Sequence, residues 1–223
     1  MISRVATFAI NNQMIEAALR TQSTMANQQI QEASGLISSD YAGLGATSQQ
    51  VIDLQVSVTR SQSYIDAATS ADSKVQVMYS TVTSISNLLT QLRSLLTGAS
   101  NSATTDSSAV SESAQQMMQE MASLLNTQYS GQYLFGGSKT NTPPVDISSA
   151  SYPAMTSPSS ASTSYYQGDS EAASVRVSDD NTVTYGVTAD NSAFEQAMRA
   201  LNLAANNSPL SSATLTEALD LAT

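Results

Sequence analysis

Apolar residues recur with alternating spacings of four and three along a long stretch in the middle of the chain. This spacing is typical of a helix that packs along another helix. The predicted seam, meaning the row of side chains that contacts the partner, comprises Tyr64, Ala68, Ala71, Val75, Met78, Val82, Ile85, Leu89, Leu92 and Leu96. Ile65 and Tyr79 flank the seam on one side, and Ala67, Leu88 and Leu95 flank it on the other. This wide apolar face predicts two or more partner elements.

The same spacing predicts a second helix that packs against the first. The long helix would begin near Thr47 and end at Gly98, which makes it about 50 residues long. A polar turn with Asp106 as the N-cap residue would follow. The second helix has a predicted seam of Val110, Ala114, Met117, Met121 and Leu124. These features predict an antiparallel helical hairpin in an elongated, rod-like molecule.

The N-terminal residues 2–33 predict a helix of low intrinsic stability. Ile10, Met14 and Ala17 keep the alternating spacing, but polar residues then interrupt it. The helix is interpreted either as an ordinary surface helix or as an assembly segment that orders with a partner. Residues 35–45, which are rich in glycine and serine, predict a connector.

The period of the pattern changes to two in the C-terminal half. Val175 and Val177 alternate with polar residues, an acidic turn follows at residues 179–181, and Val183 and Tyr185 alternate again. This pattern predicts a β-hairpin inserted between helices. Residues 148–164, rich in Ser, Ala and Pro, predict a flexible surface excursion.

Two further helices are predicted after the hairpin. Capping boxes would begin them, Ser192 with Glu195 in the first and Thr214 with Glu217 in the second. The first of these helices has a seam of Phe194, Met198 and Leu201. We expect the second to continue beyond Thr223 as a longer C-terminal partner helix.

These elements predict a mainly α fold, an elongated helical hairpin or bundle with a small β-rich insertion. Four segments are expected. They are an N-terminal assembly helix and connector (1–46), the long helical hairpin (47–138), the β-rich insertion (139–190), and a return helix with the start of a C-terminal helix (191–223).

Composition excludes several classes of function. The chain has no Cys and no His, which excludes thiol and imidazole catalysis and thiolate metal sites. A formal charge of −10, with eight basic residues, disfavours binding to nucleic acid. We expect no membrane-spanning segment, because no stretch approaches about 20 apolar residues. The N-terminus lacks the apolar core of a signal peptide, so export would use another route.

Three candidate sites for chemistry are weak. Ser138 and Lys139 follow two glycines as in a phosphate-binding loop, but Gly137 stands where that motif needs Lys. The acidic turn at 179–181 lacks the spaced ligands of a calcium loop. Asp169 and Glu171 could share one face of an extended segment, as hydrolase carboxylates do, but no other polar group supports them. We therefore expect no enzyme, cofactor or metal site.

Four segments carry a resemblance to a known family. They are MISRVATFA at the N-terminus, NTQYSGQYLFGGSKTNTPPV at 126–145, YYQGD at 165–169 and AFEQAMRALNLA at 193–204. The chain resembles the flagellin superfamily over essentially its whole length. Residues 133–144 and 166–169 are the most specific parts.

The resemblance implies a structural subunit of the bacterial flagellum that joins hook to filament by helical self-assembly. It implies secretion by type III export and pairing of the N- and C-terminal helices. The implied partners are the hook-side junction protein, flagellin, other copies of the chain, and an export chaperone that holds the C-terminal helix.

Two alternatives stay open. The connector matches that of junction proteins only in part, and Ala42-Gly43-Leu44 resembles flagellins, so filament flagellin is one alternative. The Ser-rich residues 148–164 support the other, a secreted adhesin with a helical stalk.

Overall fold

The computed structural model describes residues 2–38, 40–101, 107–148 and 150–223, with side chains from residue 8 onward. The chain forms two compact units, Met1–Ser61 and Gln62–Thr223. The described residues are mainly helical and include two short β-hairpins, which confirms the predicted mainly α class.

The first unit consists of helices with exposed side chains. It contains α1 (Ile2–Ser34), a short 3₁₀ helix (Ala42–Thr47) and the beginning of α2 (Ser48–Asn101). Gly35 ends α1 in a left-handed conformation with φ of 67°, and its N–H donates to the Gln31 carbonyl at 2.8 Å. Every side chain described between residues 8 and 37 is exposed. The fold of this unit therefore rests on backbone hydrogen bonds rather than on a core of its own.

The second unit contains the hydrophobic core, to which α2 and α3 (Ser107–Leu125) both contribute. The predicted end of α2 at Gly98 is wrong, because the helix continues to Asn101. An interior glycine costs a helix only about 1 kcal/mol, and Ala99, the next residue, packs partly against the core. The predicted N-cap residue Asp106 lies outside the described residues.

Two short β-hairpins follow α3. Strands β1 (Gln128–Tyr129) and β2 (Gln132–Tyr133) are joined by Ser130 and Gly131, both with positive φ, as a tight two-residue turn requires. The longer hairpin pairs β3 (Ala173–Arg176) with β4 (Thr182–Tyr185) in antiparallel register, with Val175 opposite Val183. The hairpin predicted from the period-two pattern is confirmed. The small first hairpin was not predicted, although its Ser-Gly pair is a turn signal.

Helices α4 (Ser192–Asn206) and α5 (Ser212–Leu221) close the fold. Neither predicted capping box forms. The Asn191 side chain caps α4 by accepting from the Ala193 N–H at 3.0 Å. The Ser211 hydroxyl caps α5 by accepting from the Thr214 N–H at 3.1 Å.

Ten of the 15 residues of α4 are buried, so neighbouring elements cover this helix on most sides. Phe194 packs edge-on against Phe135, with ring centroids 6.0 Å apart. Residues 150–164, called the strap below, cross the unit without regular structure. The strap was predicted to be a flexible excursion, and this is wrong. Tyr152 is 3% exposed and packs edge-on against Tyr165, which anchors the strap in the core.

Candidate assembly surface

The predicted seam of α2 divides into a buried part and an exposed part. Ala71, Met78, Ile85, Leu92 and Leu96 are buried, while Tyr64, Ala68 and Leu89 are half-buried. Val75 and Val82, by contrast, are 38% and 37% exposed. Thr81 and Leu88, which lie outside the predicted row, are buried. The flank that holds Leu88 therefore faces the core, and the buried face is rotated by about one residue from the predicted row.

The seams of the other helices are closer to their predicted positions. Val110, Ala114 and Met121 of α3 are buried, as are Phe194, Met198 and Leu201 of α4. Met117 and Leu124 are half-buried, because their neighbours Met118 and Leu125 point more directly into the core. The buried face of α3 is thus also rotated by about one residue from the predicted row, but in the opposite sense to that of α2.

The opposite flank of α2 presents apolar side chains to solvent. Tyr79 is 76% exposed and Ile65 57%, and Tyr79 lies between the partly exposed Val75 and Val82. With spacings of four and three from Val75 to Val82, these side chains form one stripe along the helix. This stripe is the part of the wide apolar face that the second unit leaves open.

Helix α1 exposes all of the residues predicted for assembly. Ile10 and Met14 are 55% and 62% exposed, and Ala17 is exposed as well. A second apolar row was missed by the sequence analysis, namely Phe8, Ile15, Leu19, Ala26 and Ile30. Its alternating spacings of seven and four were the signal that could have found it. A helix with two open apolar rows gains stability by packing against another surface.

In the second unit, the two most specific segments of the sequence bind each other. The loop pair, defined as residues 133–144 and 165–169, is joined by a backbone bridge between Val145 and Tyr166 at its edge. The Tyr165 hydroxyl is buried and donates to the Ala189 carbonyl at 2.9 Å. Burial raises the pKa of the Tyr165 hydroxyl, so it stays protonated and can keep donating. This contact ties the loop pair to the residues that lead into α4.

Asp169 is the main polar anchor of the loop pair. Its carboxylate accepts from the Ser138 hydroxyl at 2.6 Å and from the Ser138 N–H at 2.8 Å. These hydrogen bonds, first the one from the hydroxyl, hold the pKa of Asp169 below its usual value. The carboxylate predicted as a hydrolase candidate is thus engaged in holding two loops together.

Lys139 has a similar structural role. Its Nζ donates to the backbone carbonyls of Gln167 and Gly168, at 3.3 and 3.1 Å. The glycines allow this close approach, because a Cβ at Gly137 would collide with the backbone of Asp169. The segment that resembles a phosphate-binding loop therefore uses its amine and hydroxyl on the neighbouring loop.

Two features are absent from the residues that the structure describes. No helix among them is long and apolar enough to cross a membrane. They also contain no group of three or more acidic, Cys or His side chains placed to hold a metal ion.

The exposed apolar rows of α1 are typical of a helix that packs against another surface. The family model of the bacterial flagellin N-terminal helical region matches residues 5–140. The chain belongs to this family, and it is a flagellin-like structural protein of the flagellum. The predicted resemblance to the flagellin superfamily is confirmed.

Two solved structures share the fold. A flagellar hook-associated protein from Vibrio parahaemolyticus superposes with a TM-score of 0.64 at 19% identity, over 83% of this chain and 81% of that one. The flagellar junction protein FlgL from Legionella pneumophila superposes with a TM-score of 0.50 at 23% identity, over 64% of this chain. The chain spans 43% of the Legionella protein. Comparison with curated protein sequences gives no match.

Proposed function

We propose that the chain is a structural subunit that joins the flagellar hook to the filament. The observation that carries the proposal is the family match over residues 5–140 in a chain that shares its fold with a hook-associated protein. The apolar rows of α1 supply the means of assembly, because they lie open in the single chain. In this proposal α1 packs against other flagellar subunits and becomes buried there.

The small size of the insertion between α3 and α4 favours a junction subunit over a filament subunit. The strap and the β3–β4 hairpin, within residues 139–190, form a small insertion between α3 and α4. Filament flagellin is a second candidate, because the matching family model is that of flagellin itself. The partners in the junction proposal are the hook-side junction protein below, flagellin above, and neighbouring copies of the chain.

The proposal includes export and excludes catalysis. A subunit of the external flagellum has to be secreted, and we propose the flagellar type III route with an export chaperone. The Asp169 carboxylate and the Lys139 amine of the loop pair bind protein groups, which supports a structural role for them. The four segments predicted from the sequence, with bounds at 46, 138 and 190, remain a prediction.

The location can be tested on intact flagella. We expect gold-labelled antibodies raised against this chain to mark one narrow band at the boundary between hook and filament. Electron microscopy of flagella from the bacterium that produces the chain gives the result. Label along the whole filament would contradict the junction proposal and favour flagellin, and label on the cell body would favour an adhesin.

The role of α1 can be tested by Met14→Asp. The Met14 side chain is 62% exposed, so we expect the thermal midpoint of the isolated protein to stay unchanged. In cells, the variant should be secreted but poorly incorporated into flagella, because assembly would bury the new charge. Immunoblots of purified flagella and culture medium measure both fractions. Gln13→Asp adds the same charge next to the row and should assemble better, whereas equal incorporation of both variants would contradict the proposal.

A further inference from the structure

Side chains on two helices hold the strap along its length. On α4, the Asn202 side chain accepts from the Met155 N–H at 2.9 Å and donates to the Pro153 carbonyl at 3.0 Å. On α5, Glu217 accepts from the Ser159 N–H at 2.8 Å and also from the Ser159 hydroxyl. The strap is therefore fixed by polar side chains as well as by the buried Tyr152.

A second carboxylate, that of Glu195 on α4, holds the strap near its end. Glu195 accepts from the Ser162 N–H at 3.0 Å, and its second bond is an ion pair with Arg199, whose Nε lies 3.1 Å from Glu195 Oε1. Glu195 is 5% exposed, whereas Glu217 is only half-buried. Of the two carboxylates that hold the strap to α4 and α5, Glu217, the one bound to its middle, is therefore more open to solvent.

We propose that the strap is released by acid, because protonation of Glu217 detaches its middle from α5 while the helical core stays folded. A protonated carboxyl can accept fewer hydrogen bonds and loses its charge. The strap itself contains no charged residue that could replace this attachment. Arg199 on α4 is the charged side chain that faces Glu217, and it favours the ionised form.

The direction of the pH effect follows from the hydrogen bonds of Glu217. Hydrogen bonds from the side chains of Ser157 and Ser159, together with the one from the Ser159 N–H, hold the pKa of Glu217 below its usual value of 4.5. A lowered folded-state pKa adds stability that is present above pH 4.5 and is lost as the pH falls through the folded-state value. Release of the strap is therefore expected in mild acid, below pH 4.5.

Amide hydrogen exchange resolved by NMR tests this proposal on the whole chain. After correction for the intrinsic pH dependence of exchange, protection of the Ser159 amide should fall several-fold once the pH is well below 4.5. Protection of the Met121 amide, in the core of α3, should stay constant. Equal loss at both amides would mean global unfolding and would overturn the proposal, as would constant protection of Ser159.

Two variants separate the charge of Glu217 from its shape. Glu217→Gln keeps an oxygen that can accept from the Ser159 N–H but removes the titration, so Ser159 protection should become independent of pH. Asp220→Asn removes a carboxylate from the same helix and should keep the pH dependence of the unmodified protein. If Glu217→Gln kept the pH dependence, another group would control the strap and the proposal would be wrong.

Discussion

Replacing Ile85 with Asp is expected to lower the free energy of unfolding of the second unit by about 4 kcal/mol or more. Ile85 is 3% exposed and belongs to the hydrophobic core that α2 and α3 build together. The substitution leaves a carboxylate among aliphatic side chains and also removes apolar packing. For a domain of this size, the thermal midpoint should fall by roughly 10 °C. Thermal and urea unfolding followed by circular dichroism measure the effect.

Val82→Asp is the matched control for this substitution. Val82 lies three residues earlier on the same helix and belongs to the same predicted seam, but it is 37% exposed. The new carboxylate can reach water there, so we expect a loss of about 1 kcal/mol. Equal losses of unfolding free energy for the two variants would mean that the whole predicted seam is buried. The rotation of the buried face of α2 would then be wrong.

The existence of the long helix could be predicted from the sequence, but not which of its faces is buried. The alternating spacing from Tyr64 to Leu96 is a local property of the chain and predicts a helix with one apolar side. Val82 and Leu88 are both apolar, so spacing alone cannot show which of them faces the core. Packing within the hydrophobic core decides this, and the residues of that core lie far apart in the chain.

The polar contacts of the site were the hardest part to predict. The β3–β4 hairpin follows from a local pattern of alternation. By contrast, Asp169 binds Ser138 across 31 residues, and Glu217 binds Ser159 across 58. Glu217 was interpreted as part of a capping box because its local spacing fits that motif. In the structure this carboxylate binds Ser159 of the strap rather than the end of its own helix. No local sequence pattern predicts that contact.

A second large loss of stability is expected from a substitution at Gly137 in the loop pair. Gly137 has φ of 70°, and a Cβ there would meet the carbonyl and the side chain of Asp169. Gly131 has φ of 76°, but a Cβ there would meet nothing within 4 Å. The two glycines therefore have the same backbone requirement in different surroundings. The same substitution at each position separates backbone strain from close approach.

Gly137→Ala is expected to be clearly more destabilising than Gly131→Ala. The left-handed backbone alone costs an alanine about 1–2 kcal/mol, and Gly131→Ala should lose no more than this. At Gly137, the methyl group must also push Asp169 away, which breaks the hydrogen bonds to Ser138 that hold the two loops together. We expect a total loss of about 3 kcal/mol or more in urea unfolding. A loss at Gly137 no greater than that at Gly131 would show that the loops are not in close contact, and the structural role of the loop pair would have to be abandoned.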